Sequence, residues 1–160
     1  MFDVVVIGSG PAGYVAAIRA SQLGLKTLCI EELSNDKGKP NFGGTCLNVG
    51  CIPSKSLLDS SHRYYDAKKN LSDHGIQLGD VKLDLKTMME RKDNIVSKLT
   101  GGIDGLFLSN KVESICGKGK VISKNTVQID KTDGSSEKVD AKNIIIATGS
   151  SPIELSLIHI

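Results

Sequence analysis

The stretch Val4 to Gly13, VVVIGSGPAG, decides the fold of this chain. A continuous β-branched run that ends in glycines is typical of a buried parallel strand that meets a tight turn. Helical spacing then runs from Tyr14 to Leu23, Gly24 suits a helix stop, and Lys26 to Ile30 is apolar again. The order strand, glycine turn, helix, strand predicts a β-α-β unit and an α/β fold of the Rossmann type.

Composition and charge set the class of protein. The chain has 160 residues, of which 39% are hydrophobic and 17 are glycine. That apolar share is typical of a globular protein and supports one core, but hardly two full-sized domains. Twenty Lys and Arg against 18 Asp and Glu leave a formal net charge of +2. These charges are scattered, so neither a nucleic-acid surface nor a membrane surface is predicted.

The apolar runs and the first residues bear on location. No apolar run reaches the roughly 18 residues of a membrane span. The start, Met1 to Asp3, lacks the charged and apolar regions of a signal peptide. We therefore expect a cytoplasmic protein.

The middle of the chain predicts two helices after a polar loop at Ser34 to Asn41. The first helix runs from Ile52 to about Lys69 and the second from about Leu83 to Leu108. The pair Gly101-Gly102 interrupts the second helix, so a bend or a break is expected there.

Beyond Asn110 the apolar spacing changes to two, which is the period of β-strands. Four short candidate strands predict a small antiparallel meander: 112–116, 120–122, 127–129 and 138–139. The segment Asn143 to Gly149 repeats the opening pattern of an apolar run that ends in glycine. It predicts another buried parallel strand, whose carboxyl end faces a ligand crevice.

The glycine turn predicts a dinucleotide site. A GxGxxG motif is weak alone, but here it directly follows a strand and opens a helix, whose free N–H groups suit phosphates. Gly8 suits the tight turn, Gly10 lets the backbone approach a pyrophosphate, and Gly13 lets helix pack on strand. Glu31 follows Gly13 by 18 residues, where it can accept hydrogen bonds from an adenosine ribose and repel a 2′-phosphate. These residues allow NAD or FAD; the alternative is a glycine-rich turn beside an exposed glutamate.

Two cysteines, Cys46 and Cys51, are separated by four residues in a glycine-containing segment. A zinc site would need two further ligands, and no histidine stands at ligand-like spacing. In a regular helix their Cα atoms would lie about 7.5 Å apart along the axis, beyond the usual disulfide range, so a bridge needs a distorted turn. A strained bridge at a helix start is labile, and the helix dipole favours thiolates, which together predict a redox-active disulfide.

Three other side chains bear on the interpretation of this pair. Lys55 follows Cys51 by one helical turn, where its ammonium group would stabilise a thiolate or a reduced flavin, or would simply be solvated. Cys29 and Cys116 fall in predicted strands and are expected to be buried small hydrophobes. No metal site is predicted.

Four motifs, in chain order, carry a resemblance to a known family: GSGPAGYVAAIRASQLGLKT, GGTCLNVGCIPSK, KLTGGI and IIIATGS. They resemble the class I pyridine nucleotide-disulfide oxidoreductases over nearly the whole chain, to about Leu155. The segment LNVGCIPSK resembles the dihydrolipoamide dehydrogenase branch more than the glutathione or mercuric reductases. The resemblance implies a Rossmann-like FAD-binding domain that carries a small antiparallel β-meander and is incomplete relative to the family.

The resemblance implies which residues form an FAD site. Those that would bind the cofactor are Gly8, Ser9, Gly10, Pro11, Ala12, Gly13, Glu31, Glu32, Gly44, Thr45, Cys46, Lys55, Gly119, Thr148, Gly149 and Ser150. Cys46, Cys51 and Lys55 would be catalytic. Cys46 would be the interchange thiol that meets substrate, Cys51 the thiol beside the flavin, and Lys55 would lie near the flavin's reactive nitrogen. The implied reaction oxidises dihydrolipoamide to lipoamide and reduces NAD+ to NADH through this disulfide and FAD.

The resemblance also implies partners and absent parts. The expected partner is a lipoyl-bearing protein of a 2-oxo acid dehydrogenase or glycine cleavage complex, and the full-length family is homodimeric. Family members are much longer, so residues 1–155 are expected to form a partial FAD-binding domain with the redox disulfide. Residues 156–160 depart from the family, as in a truncated reading frame.

The NAD site would lie in a downstream domain, so the chain is expected to be unable to complete the reaction alone. The alternative from a different class is a non-catalytic dinucleotide-binding module with incidental cysteines.

Overall fold

A computed structural model describes residues 1–35 and 38–151. The predicted tail at 156–160 and the domain limit at 155 lie outside the described residues. Of the described helices, none is both long enough and apolar enough to cross a membrane.

Helices and strands alternate in the first part of the chain, and strands dominate the last. The elements are β1 (Phe2–Ile7), α1 (Pro11–Gln22), β2 (Thr27–Glu31), α2 (Gly44–Asn48), α3 (Cys51–Lys69), a 3₁₀ turn (Leu71–His74), α4 (Leu85–Ser109), β3 (Glu113–Cys116), β4 (Lys118–Ser123), β5 (Thr126–Asp130) and β6 (Ser136–Ile146). Pro11 opens α1, where its missing N–H leaves no helical hydrogen bond unmade. The predicted β-α-β unit is confirmed.

The six strands are ordered β3-β2-β1-β6-β5-β4. Strand β1 lies parallel to β2 on one side and to the second half of β6 on the other. The first half of β6 pairs antiparallel with β5, and β5 pairs antiparallel with β4. The predicted fold class, a Rossmann-like α/β fold that carries a small antiparallel meander, is therefore confirmed.

Two details of the predicted strands are wrong. Residues 113–116 do not begin the meander; they form β3, which lies parallel to β2 with Leu28 opposite Glu113. Helix α4 returns the chain to that sheet edge, which only a crossover connection allows for a parallel strand. The candidates at 138–139 and 143–146 are one continuous strand, β6, which belongs to both the meander and the parallel pairing.

A break at Gly101-Gly102 is also absent, since α4 runs through both glycines. Ile103 and Phe107, directly after them, are buried and hold this part of the helix against the core. Their packing outweighs the roughly 1 kcal/mol that each glycine costs relative to alanine.

The core lies on both faces of the parallel sheet because successive side chains of a strand point to opposite sides. On one face, Val4 and Val6 pack in a cluster with α1, α2 and α4 residues. There the rings of Phe42 and Phe107 lie with centroids 4.8 Å apart. On the other face, Val5 and Ile7 pack with meander residues. The meander therefore covers one face of the sheet and the helices cover the other.

The last parallel segment is less buried than its sequence predicts. Ile145 is 37% exposed and Ile146 is 69% exposed. Both pair with β1, opposite Val6 and Ile7, whereas Ile144 before them and Ala147 directly after β6 are half-buried. The expectation of a fully buried strand is therefore wrong for this segment.

Candidate cofactor and thiol site

The glycine turn, residues 8–13, is built by backbone contact. Gly8 has φ +98°, and a Cβ added there would lie 2.3 Å from the carbonyl oxygen of Ala147. A Cβ on Gly13 would lie 1.8 Å from the carbonyl oxygen of Gly8. Neither position admits a side chain, because real Cβ atoms do not approach backbone that closely. The proposed turn and packing roles of these two glycines therefore have a steric basis here.

Gly10 serves a different purpose. A Cβ there would meet only the Cα of Gly44, at 3.9 Å, so the space beside Gly10 is open. Gly10 is also the N-cap of α1, and no described side chain caps this helix end. Uncapped N–H groups carry the positive end of the helix dipole, so this open space is suited to an anion.

A cavity of about 690 Å³ extends from this turn. The predicted cofactor residues that line it are Gly8, Ser9, Gly10, Pro11, Glu31, Glu32, Gly44, Thr45, Cys46, Gly119, Thr148, Gly149 and Ser150. Cys51 lines it as well. The ends of β1, β2 and β6 and the starts of α1 and α2 thus meet around one space, as expected for the carboxyl edge of a parallel sheet.

Three predicted residues lie elsewhere. Gly13 is buried beneath the turn, against Gly8. Ala12 and Lys55 are exposed and are not part of the cavity wall. Lys55 lies on α3, one helical turn after Cys51.

Glu31 is buried at the other end, with 6% of its surface exposed. Its Oε2 accepts the backbone N–H of Ser9 at 2.8 Å and also the Ser9 hydroxyl, and its Oε1 accepts the backbone N–H of Leu33 at 2.8 Å. The alternative of an exposed glutamate beside an unrelated glycine turn is therefore wrong. The carboxylate is hydrogen-bonded to the glycine turn itself, through Ser9.

An ion pair at the Glu31 end of the cavity was not predicted from the sequence. Lys118 Nζ lies 3.4 Å from Glu32 Oε1, and both residues line the cavity. Lys118 directly precedes Gly119, but nothing local marks it, because the pairing depends on β4 passing over β2. A Cβ on Gly119 would lie 2.9 Å from Ile7 Cγ2, which shows how closely β4 crosses the sheet.

Cys46 and Cys51 lie on either side of a helix break. Cys46 is in α2, Cys51 begins α3, and Gly50 between them has φ −113° and ψ −106°. The predicted distortion of the turn is confirmed. Both cysteines are free thiols here; Cys46 is half-buried and Cys51 is exposed.

The two thiols are in direct contact. A hydrogen bond with the Cys51 side chain, followed by partial burial, raises the pKa of Cys46 above its ordinary value. The expected preference for thiolate is therefore not met at Cys46 in the dithiol state, because the hydrogen bond and the partial burial both favour its protonated form. Contact of this kind places the pair within reach of disulfide formation.

Asn48 holds this segment together and was also not singled out from the sequence. Its Nδ2 donates to the carbonyl oxygens of Phe42, at 3.1 Å, and of Gly44, at 2.9 Å. The backbone N–H of Gly43 donates to the carbonyl oxygen of Ser9 at 3.0 Å. These bonds tie the cysteine segment to the glycine turn. The asparagine within the motif LNVGC is the sequence feature that could have indicated this role.

The other two cysteines differ from this pair. Cys29 is fully buried, and burial raises its pKa to about 12. Cys116 is half-buried, and burial, then the charge of Glu31, raises its pKa. The expectation of a buried small hydrophobe is met at Cys29 and only partly at Cys116. Across 1–35 and 38–151, no group of three or more His, Cys, Asp or Glu could hold a metal ion.

The sequence of this chain is similar to those of known proteins. The profile of the pyridine nucleotide-disulphide oxidoreductases matches residues 2–159. The chain belongs to this family. Curated relatives include leghemoglobin reductase of Vigna unguiculata, 58% identical over 148 residues, and dihydrolipoyl dehydrogenase 1, mitochondrial, of Arabidopsis thaliana, 56% identical over 148 residues. Another is the mitochondrial dihydrolipoyl dehydrogenase of Sus scrofa, 56% identical over 149 residues.

These matches cover 92% of this chain but only 27–28% of each relative. The chain therefore spans about a quarter of the length of the curated relatives that it matches. This is a family of flavoprotein oxidoreductases, and FAD is the cofactor that the family implies.

The described residues fit FAD. An elongated cofactor needs a cavity of several hundred Å³ with few but well-placed polar groups, and the cavity here has about 690 Å³. Gly10 and the uncapped start of α1 suit its pyrophosphate, while the Glu31 carboxylate suits its ribose. The thiols of Cys46 and Cys51 line the same space, so a cofactor held there would lie beside a redox pair.

Proposed function

We propose that this chain binds FAD in the cavity and uses Cys46 and Cys51 to oxidise dihydrolipoamide, as part of a dihydrolipoamide dehydrogenase. The observation that carries the proposal is the presence of both thiols in one cavity with the glycine turn and Glu31. The names of several relatives supply the substrate.

The proposed chemistry at the cysteines is thiol–disulfide exchange. A thiolate of the dihydrolipoyl group attacks the Cys46 sulfur of the oxidised pair, which forms a mixed disulfide and releases the Cys51 thiolate. The second substrate thiolate then attacks its own partner's sulfur, which closes the lipoyl ring and releases Cys46. One disulfide is made and one is broken, so the electron pair rests on the two cysteines.

The remaining residues bind and orient. In this proposal the N-terminus of α1 holds the pyrophosphate, Glu31 accepts from the ribose, and the Lys55 ammonium favours negative charge near Cys51. FAD held in the cavity would supply the two-electron chemistry between the cysteine pair and NAD+. Cys46 and Cys51 would return to the disulfide, with two electrons and one proton ending in NADH and the other proton released.

We further propose that the 160 residues alone reduce bound FAD but do not reduce NAD+. The sequence contains one strand–glycine turn–helix unit, and the cavity beside it is assigned to FAD. In the full-length protein we expect homodimers, with a lipoyl-bearing protein of a 2-oxo acid dehydrogenase or glycine cleavage complex as partner. The cytoplasmic location stays a prediction; the names of the Arabidopsis and pig relatives include the word mitochondrial.

The test is the visible spectrum of the chain with added FAD, before and after one equivalent of dihydrolipoamide. We expect a flavin spectrum that is shifted by binding and that gains a long-wavelength shoulder upon reduction. Cys51→Ser removes the shoulder, while Cys116→Ser keeps it because Cys116 is not part of the cavity wall.

The alternatives predict different spectra. A non-catalytic dinucleotide-binding module would show bound flavin whose spectrum is the same with and without Cys51. A glutathione or mercuric reductase, whose own substrate is an oxidant, would gain the shoulder with one equivalent of a general reductant such as dithionite and not with dihydrolipoamide. Free flavin under all conditions would contradict the FAD site itself.

A further inference from the structure

The glycine turn and the end of β2 share one buried carboxylate. Glu31 accepts three hydrogen bonds: the N–H and the hydroxyl of Ser9 at Oε2, and the N–H of Leu33 at Oε1. Ser9 has no exposed surface and Glu31 has 6%. No lysine, arginine or histidine within the described ranges forms an ion pair with Glu31. The charge is therefore stabilised by these three donors.

The three donors occupy most of the acceptor capacity of this side chain. A carboxylate offers about four lone-pair sites, so roughly one remains, on Oε1. An adenosine ribose brings two hydroxyl donors. For both to bind Glu31, one of the existing donors has to leave.

Only one of the three can leave easily. The N–H groups of Ser9 and Leu33 belong to the backbone, and Ser9 is held further by its carbonyl oxygen, which accepts from Gly43 N–H at 3.0 Å. The Ser9 hydroxyl turns about a single side-chain bond.

We infer that the Ser9 hydroxyl is a stand-in for a ribose hydroxyl. It satisfies the buried carboxylate of Glu31 while no nucleotide is bound, and it yields that acceptor site when the nucleotide arrives. A buried carboxylate that lacks a donor is costly, so the stand-in stabilises the free protein and competes with the ligand. This inference rests on the proposed FAD site.

Ser9→Ala tests it, because this substitution removes the hydroxyl and keeps the N–H donor. The free protein loses a hydrogen bond that the bound protein does not use. We expect the Kd for FAD to fall about threefold to tenfold, as one hydrogen bond to a charged group allows. The urea midpoint of the free protein should fall, while that of the FAD-bound protein stays unchanged.

Two nucleotides show whether the ribose hydroxyls cause the gain in affinity. With ADP, Ser9→Ala should again bind more tightly than the unaltered chain. With 2′,3′-dideoxy-ADP, which brings no ribose hydroxyl to Glu31, the substitution should change nothing. A general loosening of the cavity would move both affinities together.

Ser56→Ala is the matched control. Ser56 is also buried, and its hydroxyl accepts from Arg91 Nη1 at 3.0 Å, away from the cavity. This variant should lower the urea midpoint with and without FAD and leave the Kd unchanged.

The outcomes separate the two proposals. If the unaltered chain binds FAD, and Ser9→Ala binds FAD equally or more weakly, the stand-in role is wrong and the FAD site stands. An equal gain for ADP and its dideoxy analogue also overturns the stand-in role. If the unaltered chain binds neither FAD nor ADP, the proposed function fails and the inference fails with it.

Discussion

Two glycine-containing turns line the same cavity and are built differently. In the glycine turn, side chains are excluded by backbone: added Cβ atoms at Gly8 and Gly13 would lie 2.3 Å and 1.8 Å from carbonyl oxygens. In the cysteine turn, residues 43–51, the excluding neighbours are mixed: an added Cβ at Gly43 would meet the Leu47 side chain at 2.6 Å, and one at Gly44 would meet the Cα of Gly10 at 2.8 Å.

The cysteines near the two turns differ in their exposure to solvent. Cys29 lies beneath the glycine turn, with its Sγ 3.7 Å from the carbonyl oxygen of Gly8, and is fully buried. Cys51, in the cysteine turn, is exposed. A binding surface needs fixed backbone, whereas thiol exchange needs accessible sulfur. One cavity therefore divides these requirements between two turns.

The largest effect is expected at Gly13. Gly13→Ala forces the helix away from the strand, because the new Cβ would overlap the carbonyl oxygen of Gly8. We expect the free energy of unfolding to fall by about 3 kcal/mol, together with loss of FAD binding. Urea titration and equilibrium dialysis measure the two effects.

Gly102→Ala is the control for that substitution. Gly102 lies inside α4, and an added Cβ would meet nothing within 4 Å. We expect a gain of about 0.5–1 kcal/mol, since alanine favours helix over glycine. Equal losses at Gly13 and Gly102 would contradict the steric account of the glycine turn.

Cys29 should make stability depend on alkaline pH. Its pKa is raised to about 12 in the folded protein, from an ordinary value of 9.0. Above about pH 9 the unfolded chain releases this proton and the folded chain keeps it, so the free energy of unfolding falls as pH rises. The slope approaches roughly 1.4 kcal/mol per pH unit, up to the folded pKa.

Urea midpoints between about pH 8 and pH 11 measure this slope. Cys29→Ala should flatten it. A smaller slope of the same sign should persist, because the pKa values of Cys46 and Cys116 are also raised in the folded protein. An unchanged slope in Cys29→Ala would show that the thiol beneath the glycine turn is not buried as described.

Asn48→Ala should affect the cysteine turn. It removes two hydrogen bonds to carbonyl oxygens and should lower the free energy of unfolding by about 1–2 kcal/mol. Because those bonds hold the segment that carries Cys46, we also expect slower formation of the Cys46–Cys51 disulfide with an added oxidant, measured by free-thiol titration.

Asn125→Ala is matched to that variant. Its Nδ2 also donates to two carbonyl oxygens, those of Ala141 at 2.8 Å and Lys142 at 3.2 Å, but in the meander. We expect a similar loss of stability with no change in the rate of disulfide formation. If both variants slowed that rate equally, Asn48 would have no particular role at the thiols.

The smallest effect is expected at Arg91, which links α4 to α3. Its Nη1 donates to Ser56 Oγ at 3.0 Å and its Nη2 lies 3.0 Å from Asp59 Oδ2. Both members of the ion pair are well exposed, so Arg91→Met should lower the free energy of unfolding by only about 0.5–1 kcal/mol.

Arg63→Met provides the comparison for that change. Arg63 contacts the same Asp59 at 3.1 Å, but within α3 and with its side chain 78% exposed. We expect an effect below about 0.5 kcal/mol by urea titration. A larger loss for Arg63→Met than for Arg91→Met would show that the contact between the helices stabilises the protein less than the ion pair within α3.

Local patterns predicted the first part of the molecule well. The apolar run, the glycines and the helical spacing were sufficient for β1, α1 and β2, because each is specified by neighbours in sequence. The spacing of Cys46 and Cys51 likewise required a break in the helix, which Gly50 provides.

The strand assignments failed where pairing is long-range. A short alternating segment such as 113–116 has the same pattern whether it joins a meander or a parallel sheet. Its partner, β2, is far away in sequence, and α4 decides which edge it reaches. The Lys118–Glu32 ion pair was missed for the same reason.

The sequence by itself determined the β-α-β unit, the glycines without room for a side chain, and the separation of the two cysteines. These depend on the chemistry of neighbouring residues. The tertiary structure alone decided that β6 belongs to both parts of the sheet and that Ser9 binds Glu31. Such contacts join residues distant in sequence, and they form only when the parallel strands bring their carboxyl ends to one edge.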